Sequence, residues 1–580
     1  MCGIAGISLI KPNPKLSREF FKIKKLLDHR GPDNFGSFIN SHLSLLHTRL
    51  SIVDIKGGYQ PIKNKDKILI ANGEIYNDLE IRKKNKSFKF KSKSDSESIL
   101  AVYNNHGVSG LKKLRGMFAY AIYDRSSDEL IIGRDEFGIK PLYFRLIDEG
   151  FIFCSEIKPL RSMKLSKDFI NYDKTEEYMQ LQYCSGYETI FNEIKRVEPG
   201  QILIIKRGRI LKSIKNILPK KQKKFLKNID ENYINNSLTE SISSHLRSDV
   251  PYCVFFSGGI DSMLLLYYLK KLNKENVTAF SIYFSDDSYD DFSQITKDYK
   301  IEIVKQKFSE DDFWNSLFFA ADKIDEPVAD YAILPTLKLA SIASKKFKVA
   351  LTGEGGDELF GGYGRYKKTQ RFFFKKRNYF PKGEFSKLFS KKKFVHWNYK
   401  IKNLDRIKQM EDLTNLQKIQ LFDYHNWLPN NLLVKLDRCL MTFGMEGRTP
   451  FIDKILFEKL FFIADNHKIN QGFGKYFIRR FLQSKIPSYN AFEKKRGFTV
   501  PIYEWIPKKI KYLEELLLKQ EFLYEYFTRD ELIELFKSVR KNKKFAKAVW
   551  HIIFFTSWYL VNIKGIKKRG NFFDILSSIN

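Results

Sequence analysis

Three stretches of the chain hold residue types whose spacing could do chemistry. The first is an apolar run, Tyr252-Cys253-Val254-Phe255-Phe256, that stops at Ser257-Gly258-Gly259-Ile260-Asp261-Ser262 and resumes as the apolar segment Met263 to Leu269. It reads as strand, tight loop and helix. Two adjacent glycines let backbone N–H groups approach an anion closely, and the hydroxyls of Ser257 and Ser262 add donors near a helix start. That is phosphate-binding chemistry, although no Gly-Lys-Ser/Thr follows. Asp261 occupies the loop instead. A carboxylate beside triphosphate oxygens makes sense with a divalent cation between them, so Asp261 is a candidate magnesium ligand.

The second stretch is Leu351-Thr352-Gly353-Glu354-Gly355-Gly356-Asp357-Glu358-Leu359-Phe360-Gly361-Gly362-Tyr363, where glycines alternate with three carboxylates directly after a strand-like run. Asp357 is a second candidate magnesium ligand, paired in space with Asp261. Glu354 could face the reacting centre, either as a base or as a hydrogen-bonding orienter for an incoming nucleophile. The third is the opening, Met1-Cys2-Gly3-Ile4-Ala5-Gly6-Ile7. Removal of Met1 would leave a nucleophilic sulfur and an α-amine of pKa about 8 in one residue, so the amine could serve as its own general base.

Further strings give these stretches a context. Ser-Gly-Gly-Ile-Asp-Ser resembles the pyrophosphate loop of the ATP pyrophosphatases, with Met263 where that loop usually ends in Ser. His29-Arg30-Gly31-Pro32-Asp33, Thr48-Arg49-Leu50-Ser51-Ile52-Val53-Asp54, Asn72-Gly73-Glu74-Ile75-Tyr76-Asn77 and Ser94-Asp95-Ser96-Glu97 resemble, in order, the glutaminase domain of class II, N-terminal-nucleophile amidotransferases. The resemblance implies that Cys2 attacks the glutamine amide. Asn72 and Gly73 would form the oxyanion hole. Arg49 would fork onto the glutamine carboxylate, with Ile52 in the same pocket, while Glu74 and Asp95 hold the ammonium group.

Both halves together, with Asp325-Glu326-Pro327, Leu428 to Arg438, Glu446-Gly447-Arg448-Thr449-Pro450-Phe451-Ile452-Asp453 and Lys494-Lys495-Arg496-Gly497-Phe498, resemble the glutamine-hydrolysing asparagine synthetase family over nearly the whole chain. The implied activity is ATP-dependent amidation of aspartate through a β-aspartyl-AMP intermediate, with ATP and Mg2+ as cofactors. The alternative is amidation of another carboxylate, such as a sugar acid or a peptide. Ser257, Gly258, Gly259, Asp261, Ser262, Ile282, Gly353, Lys475 and Lys495 would bind ATP, and an apolar tunnel would carry ammonia between the sites. Two departures stand out: Gly447 and Thr449 replace the family's valines, and Lys375 to Lys402 is a basic, aromatic insertion. Neither is expected to touch the chemistry.

The elements that must position these residues follow from periodicity. Alternating apolar segments at Lys67–Ala71, Gly116–Tyr123 and Glu129–Gly133 predict strands, and Phe20–Asp28 and Ser96–Tyr103 predict helices. Apolar strand-like runs at Val254–Phe256, Val277–Tyr283 and Val349–Leu351, separated by helix-like ones, predict a parallel sheet with crossover helices. Arg134 to Tyr143 and Ser155-Glu156-Ile157-Lys158 are placed at the domain junction. The expected architecture is two-domain α/β: an Ntn-type αββα glutaminase sandwich (2–205), a Lys-rich linker (206–230), a doubly wound parallel sheet of the ATP pyrophosphatase, adenine nucleotide α-hydrolase-like type with a helical C-terminal part (231–565), and a tail (566–580).

Composition bounds the rest. The 580 residues, 43% hydrophobic and 15% aromatic, suffice for at least two buried cores. The net charge of +34, from 101 Lys+Arg against 67 Asp+Glu, is mostly dispersed Lys and matches no nucleic-acid module. An RNA-modifying role would need a thiol relay by the loop, and Cys253 lies inside the apolar run. Five cysteines without CxxC spacing, and no secretory signal, point to the cytoplasm. Ala548–Ile563 is uncharged but shorter than a membrane span, which predicts a buried helix. Glutamine, aspartate and ATP are the expected partners, with no nucleic acid, no membrane, and a homodimer as the candidate assembly.

Overall fold

In the computed structural model the described residues are 2–163, 169–215, 230–272, 277–284, 293–299, 301–370, 383–385, 388–389, 407, 409–493 and 499–579. The amino-terminal part is built from β1 (Cys2–Leu9), β2 (Asn34–Ile39), β3 (Leu43–Arg49), β4 (Ile62–Asn64), β5 (Lys67–Ile75), β6 (Gly116–Asp124), β7 (Glu129–Arg134), β8 (Tyr143–Ile147), β9 (Gly150–Cys154), β10 (Ile194–Arg196), β11 (Gln201–Lys206) and β12 (Arg209–Lys215). They form two antiparallel sheets, in the orders β10-β8-β9-β1-β3-β2 and β12-β11-β7-β6-β5-β4.

Period-two alternation decides which side chains meet between the sheets. Ile4, Leu43, Leu45, Phe151 and Phe153 of one sheet pack on Ile68, Ile70, Ala119, Ala121 and Ile132 of the other. Ala5, Ile7 and Leu9 point outward onto Leu16 and Phe20 of a helix. Leu69, Ala71 and Ile122 point outward onto Ile99 and Val102 of another. This is the expected four-layer sandwich. By the same alternation Cys2 follows Ile4, and Asn72 and Glu74 follow Ile70, so these side chains share the space between the sheets at one end.

The carboxy-terminal part holds a parallel sheet of β13 (Tyr252–Phe255), β14 (Thr278–Tyr283), β15 (Glu302–Lys307), β16 (Val349–Leu351) and β17 (Glu446–Arg448), in the order β15-β14-β13-β16-β17. The chain moves outward from β13 to β15, then crosses back to place β16 on the other side of β13. Ligands of such sheets sit outside the carboxyl ends of the strands at this switch point. The loops after β13 and β16 are neighbours there for that reason.

Two boundaries differ from the sequence reading. Arg209–Lys215 lies within the expected linker but pairs with β11 as an edge strand. Its alternation is masked by lysines that face water, as edge strands commonly do. The expected tail contains a helix, Phe572–Ser577, whose Phe573 packs on Trp314. The uncharged segment forms the buried helix Ala546–Asn562. Among the described residues no helix is long and apolar enough to cross a membrane.

Candidate functional site

At one end of the sandwich, β1 pairs with β3 so that Cys2 lies opposite Arg49. The Cys2 N–H donates to Asn72 Oδ1 at 2.9 Å, and the Cys2 carbonyl accepts from Arg30 Nε at 3.2 Å. Burial pushes the Cys2 thiol up, so it stays protonated until a base takes its proton. Asn72 Nδ2 is buried with no hydrogen-bond partner among the described residues. An orphaned buried donor costs stability unless a ligand uses it, which suits an oxyanion hole. Gly73, next to it, has φ +140°, and a Cβ there would lie 2.7 Å from Phe118 Cα.

Arg49 donates to the carbonyls of Val53, Asp54 and Ile55 at 3.4, 2.6 and 3.1 Å, which fixes its guanidinium against the 53–55 turn. Ile52 is buried at the junction with the second domain, packed with Leu50, Val349 and Met441. Asp95 Oδ2 accepts from the Ile75 N–H at 2.5 Å. Burial lifts the Asp95 carboxyl to about 6. Glu74, also buried, is raised well above the carboxylate range by burial, with Asp95 and Glu446 adding to it. The structure therefore brings Cys2, Arg49, Asn72, Gly73, Glu74 and Asp95 to one end of the sandwich.

The second constellation lies at the switch point. The helix Ile260–Leu272 begins in the loop after β13, with Asp261 in its first turn. Ser262 Oγ donates to the Gly259 carbonyl at 3.0 Å and accepts from the Ser257 N–H at 3.3 Å. Gly258 has φ +71°, and its carbonyl accepts from Tyr489 Oη at 3.0 Å. Gly353, in the loop after β16, passes so close that a Cβ would sit 2.8 Å from Asp261 Cβ. Ile282 is buried near the end of β14.

Lys475 joins the two loops. Its Nζ pairs with Asp261 and, at 2.6 Å, with Asp357 Oδ1. This buried lysine also holds a left-handed backbone, φ +56°, at the start of the helix Tyr476–Lys485, and such strain persists where surroundings enforce it. Two carboxylates converging on one ammonium form a donor set that a Mg2+ ion could share with phosphate oxygens and water, since this ion is commonly held by one or two carboxylates. Among the described residues no group of three or more His, Cys, Asp or Glu could hold a metal. Glu354 Oε1 pairs with Lys435 Nζ at 3.1 Å, and Lys435 also pairs with Asp330 Oδ2 at 3.2 Å. Lys495 and most of the 375–402 stretch lie outside the described residues.

Buried ions join the halves. Arg30 pairs with Glu156 at 2.8 Å and Asp437 at 2.7 Å, and Arg438 pairs with Glu156 at 2.8 Å and Asp325 at 3.0 Å. The strings 134–143 and 155–158 do fall at the junction: Glu136 pairs with Lys454, and the Ile157 N–H donates to Asp325. The 446–449 string, expected away from the chemistry, is instead against the first site. Arg448 lies 3.5 Å from Glu74, and Glu446 is among the charges that act on Cys2, Glu74 and Asp95. Sequence reading missed this contact because only the edge position of β17 creates it. Lys435 and Asp330 were missed too, since nothing in their spacing marks them as partners of Glu354.

A sulfur-bearing first strand in an Ntn-type sandwich, joined to a glycine-bearing loop at the switch point of a parallel sheet, defines a two-domain glutamine amidotransferase-like α/β protein. The comparisons agree with that class. Residues 1–215 match the family model described as Glutamine amidotransferase domain, and residues 234–560 match the one described as Asparagine synthase. The chain belongs to the asparagine synthase family. It is 29% identical to asparagine synthetase [glutamine-hydrolyzing] 1 of Bacillus subtilis, covering 97% of each chain. It is 26% identical to asparagine synthetase B [glutamine-hydrolyzing] of Escherichia coli, covering 87% of this chain and 83% of that one. With the putative asparagine synthetase [glutamine-hydrolyzing] 2 of Methanocaldococcus jannaschii it shares 33% identity, over 63% of this chain and 76% of the other.

Proposed function

We propose that the chain makes asparagine from aspartate, taking nitrogen from the side-chain amide of glutamine and driving the reaction by cleaving ATP to AMP and pyrophosphate. In the first site Cys2, freed of Met1, attacks the amide carbon while its own α-amine takes the thiol proton. Asn72 Nδ2 and the Gly73 N–H donate to the oxygen as it becomes charged. Arg49 holds the glutamine carboxylate, Ile52 lines the same pocket, and Glu74 and Asp95 hold its ammonium. Ammonia leaves as the glutamyl thioester forms, and water then releases glutamate.

In the second site the aspartate side-chain carboxylate attacks the α-phosphorus of ATP, giving β-aspartyl-AMP and pyrophosphate. Ser257, Gly258, Gly259, Ser262 and Gly353 shape the phosphate cradle at the start of a helix, Ile282 borders the nucleotide, and Lys475 and Lys495 meet the leaving pyrophosphate as point charges. Asp261 and Asp357 would hold Mg2+, which would supply charge neutralisation to the phosphates. Ammonia crosses the domain junction and attacks the activated carbonyl, and Glu354, steadied by Lys435, takes its proton. Buried cysteines without disulfides suit a reducing cytoplasm.

The observation that carries this reading is the convergence of Asp261, Asp357 and Lys475 on the switch point of a chain whose first strand opens with a buried cysteine bound to Asn72. Cys2→Ala tests it. Glutamate release and glutamine-driven synthesis should vanish while ammonia-driven asparagine formation persists; loss of both would refute two separable sites.

A further inference from the structure

Glu74 has one ion partner among the described residues, and it comes from the other domain. Arg448 lies on β17, the edge strand of the parallel sheet, and is 1% exposed at its side chain. Its fork is held on three sides: Nε by Glu446 Oε1 at 2.6 Å, and Nη1 by the carbonyls of His245 and Arg247, each at 2.7 Å. The remaining nitrogen, Nη2, is buried, has no hydrogen bond among the described residues and stands 3.5 Å from Glu74 Oε1. A guanidinium this constrained can orient a carboxylate because little freedom is left to lose.

A neighbouring arginine makes the same crossing. Arg247 pairs with Asp78 of the sandwich and donates to the Lys93 carbonyl at 3.2 Å, two residues before Asp95. Glu74 thus meets a guanidinium of the carboxy-terminal part directly, and Asp95 feels the charge of Arg247 without touching it. The Arg448 carbonyl in turn accepts from the Thr352 N–H at 2.9 Å, directly before Gly353 and Glu354.

We infer that Arg448 is a positioning residue of the glutamine pocket, holding the Glu74 carboxyl oriented toward the substrate ammonium. This rests on the proposed role of Glu74. The need is electrostatic. Glu74 is buried and faces Asp95 and Glu446, while Arg448, Arg247, the amino terminus and the Tyr76 hydroxyl are the other titratable or charged groups around it. Burial and the two acids push Glu74 toward its neutral form, and Arg448 opposes them. A neutral Glu74 offers an ammonium group far less.

The test uses the full chain with Arg448→Met, Arg448→Lys, Glu74→Gln and the Arg448→Met/Glu74→Gln double variant. Glutamate release gives the glutamine KM from pH 6 to 9, and ammonia-driven synthesis reports an intact second domain. Arg448→Met should raise the KM by about 10-fold and move the acid limb of 1/KM to higher pH. Arg448→Lys, which keeps the charge and serves if the methionine variant does not fold, should leave that limb near its wild-type position. In the double variant the KM should match that of Glu74→Gln alone. A wild-type KM in Arg448→Met, or effects of the two changes that multiply in full, overturns the inference. A wild-type KM in Glu74→Gln overturns the reading of Glu74 itself.

Discussion

Asp95→Asn should make the amidotransferase domain more stable and less able to use glutamine. Asp95 is buried, and burial raises its carboxyl from the ordinary 3.8 to about 6. A folded-state value above the unfolded one means that the ionised form is disfavoured by folding. The wild type therefore loses stability as pH rises from about 4 to about 6, and the loss stays constant above that. A gap of about two pH units corresponds to about 3 kcal/mol. Asn keeps an oxygen for the Ile75 N–H and carries no charge, so the variant should gain up to about 3 kcal/mol at pH 8. For a domain of this size that is roughly 5–10 °C in unfolding midpoint. At pH 4 the two proteins should unfold alike. The same change removes an anion from the substrate ammonium, a charge-assisted bond of about 1.5–3 kcal/mol, so the glutamine KM should rise roughly 10- to 100-fold. Scanning calorimetry at pH 8 and pH 4, with glutamate release at pH 8, measures both. An unchanged glutamine KM, or a stability gain that persists at pH 4, would refute the reasoning.

Two further outcomes follow from the second site. Lys475→Met leaves Asp261 and Asp357 facing each other without their ammonium, so Mg2+ should bind the nucleotide-free protein more tightly while pyrophosphate exchange falls by about 100-fold or more; titration calorimetry and exchange rates check the pair, and weaker Mg2+ binding would contradict the shared-cation arrangement. Lys435→Met strands Asp330 in the interior, which typically costs about 3–5 kcal/mol, and leaves Glu354 unsteadied. Ammonia-driven synthesis should drop while pyrophosphate exchange continues, and adding Asp330→Asn should recover stability without recovering synthesis.

Local pattern made much of this legible from sequence. Alternation in 67–71, 116–123 and 129–133 marks strands whose extents in the fold are Lys67–Ile75, Gly116–Asp124 and Glu129–Arg134. The glycines of 257–262 and 351–363 mark loops whose carboxylates do meet at Lys475. The reading was weaker where a fold-level position overrides composition. Periodicity predicts one helix over Phe20–Asp28, whereas the helix Pro14–Phe21 ends before a separate turn at Lys24–Leu27. Arg209–Lys215 hides an edge strand beneath its lysines, and 572–577 hides a docked helix in an apparent tail. Arg448 and Lys435 act by reaching across elements far apart in the chain, and no spacing rule encodes that reach.

The central claim is that nitrogen released beside Cys2 is consumed where Asp261, Asp357 and Lys475 converge. Supplying aspartate, ATP and Mg2+ with glutamine labelled with 15N in its side-chain amide, in a large excess of unlabelled ammonium, measures this directly. The account predicts labelled asparagine in far greater proportion than free mixing allows, with AMP and pyrophosphate formed one for one with it. ADP as the product, or asparagine carrying only the label of the bulk ammonium, would contradict it.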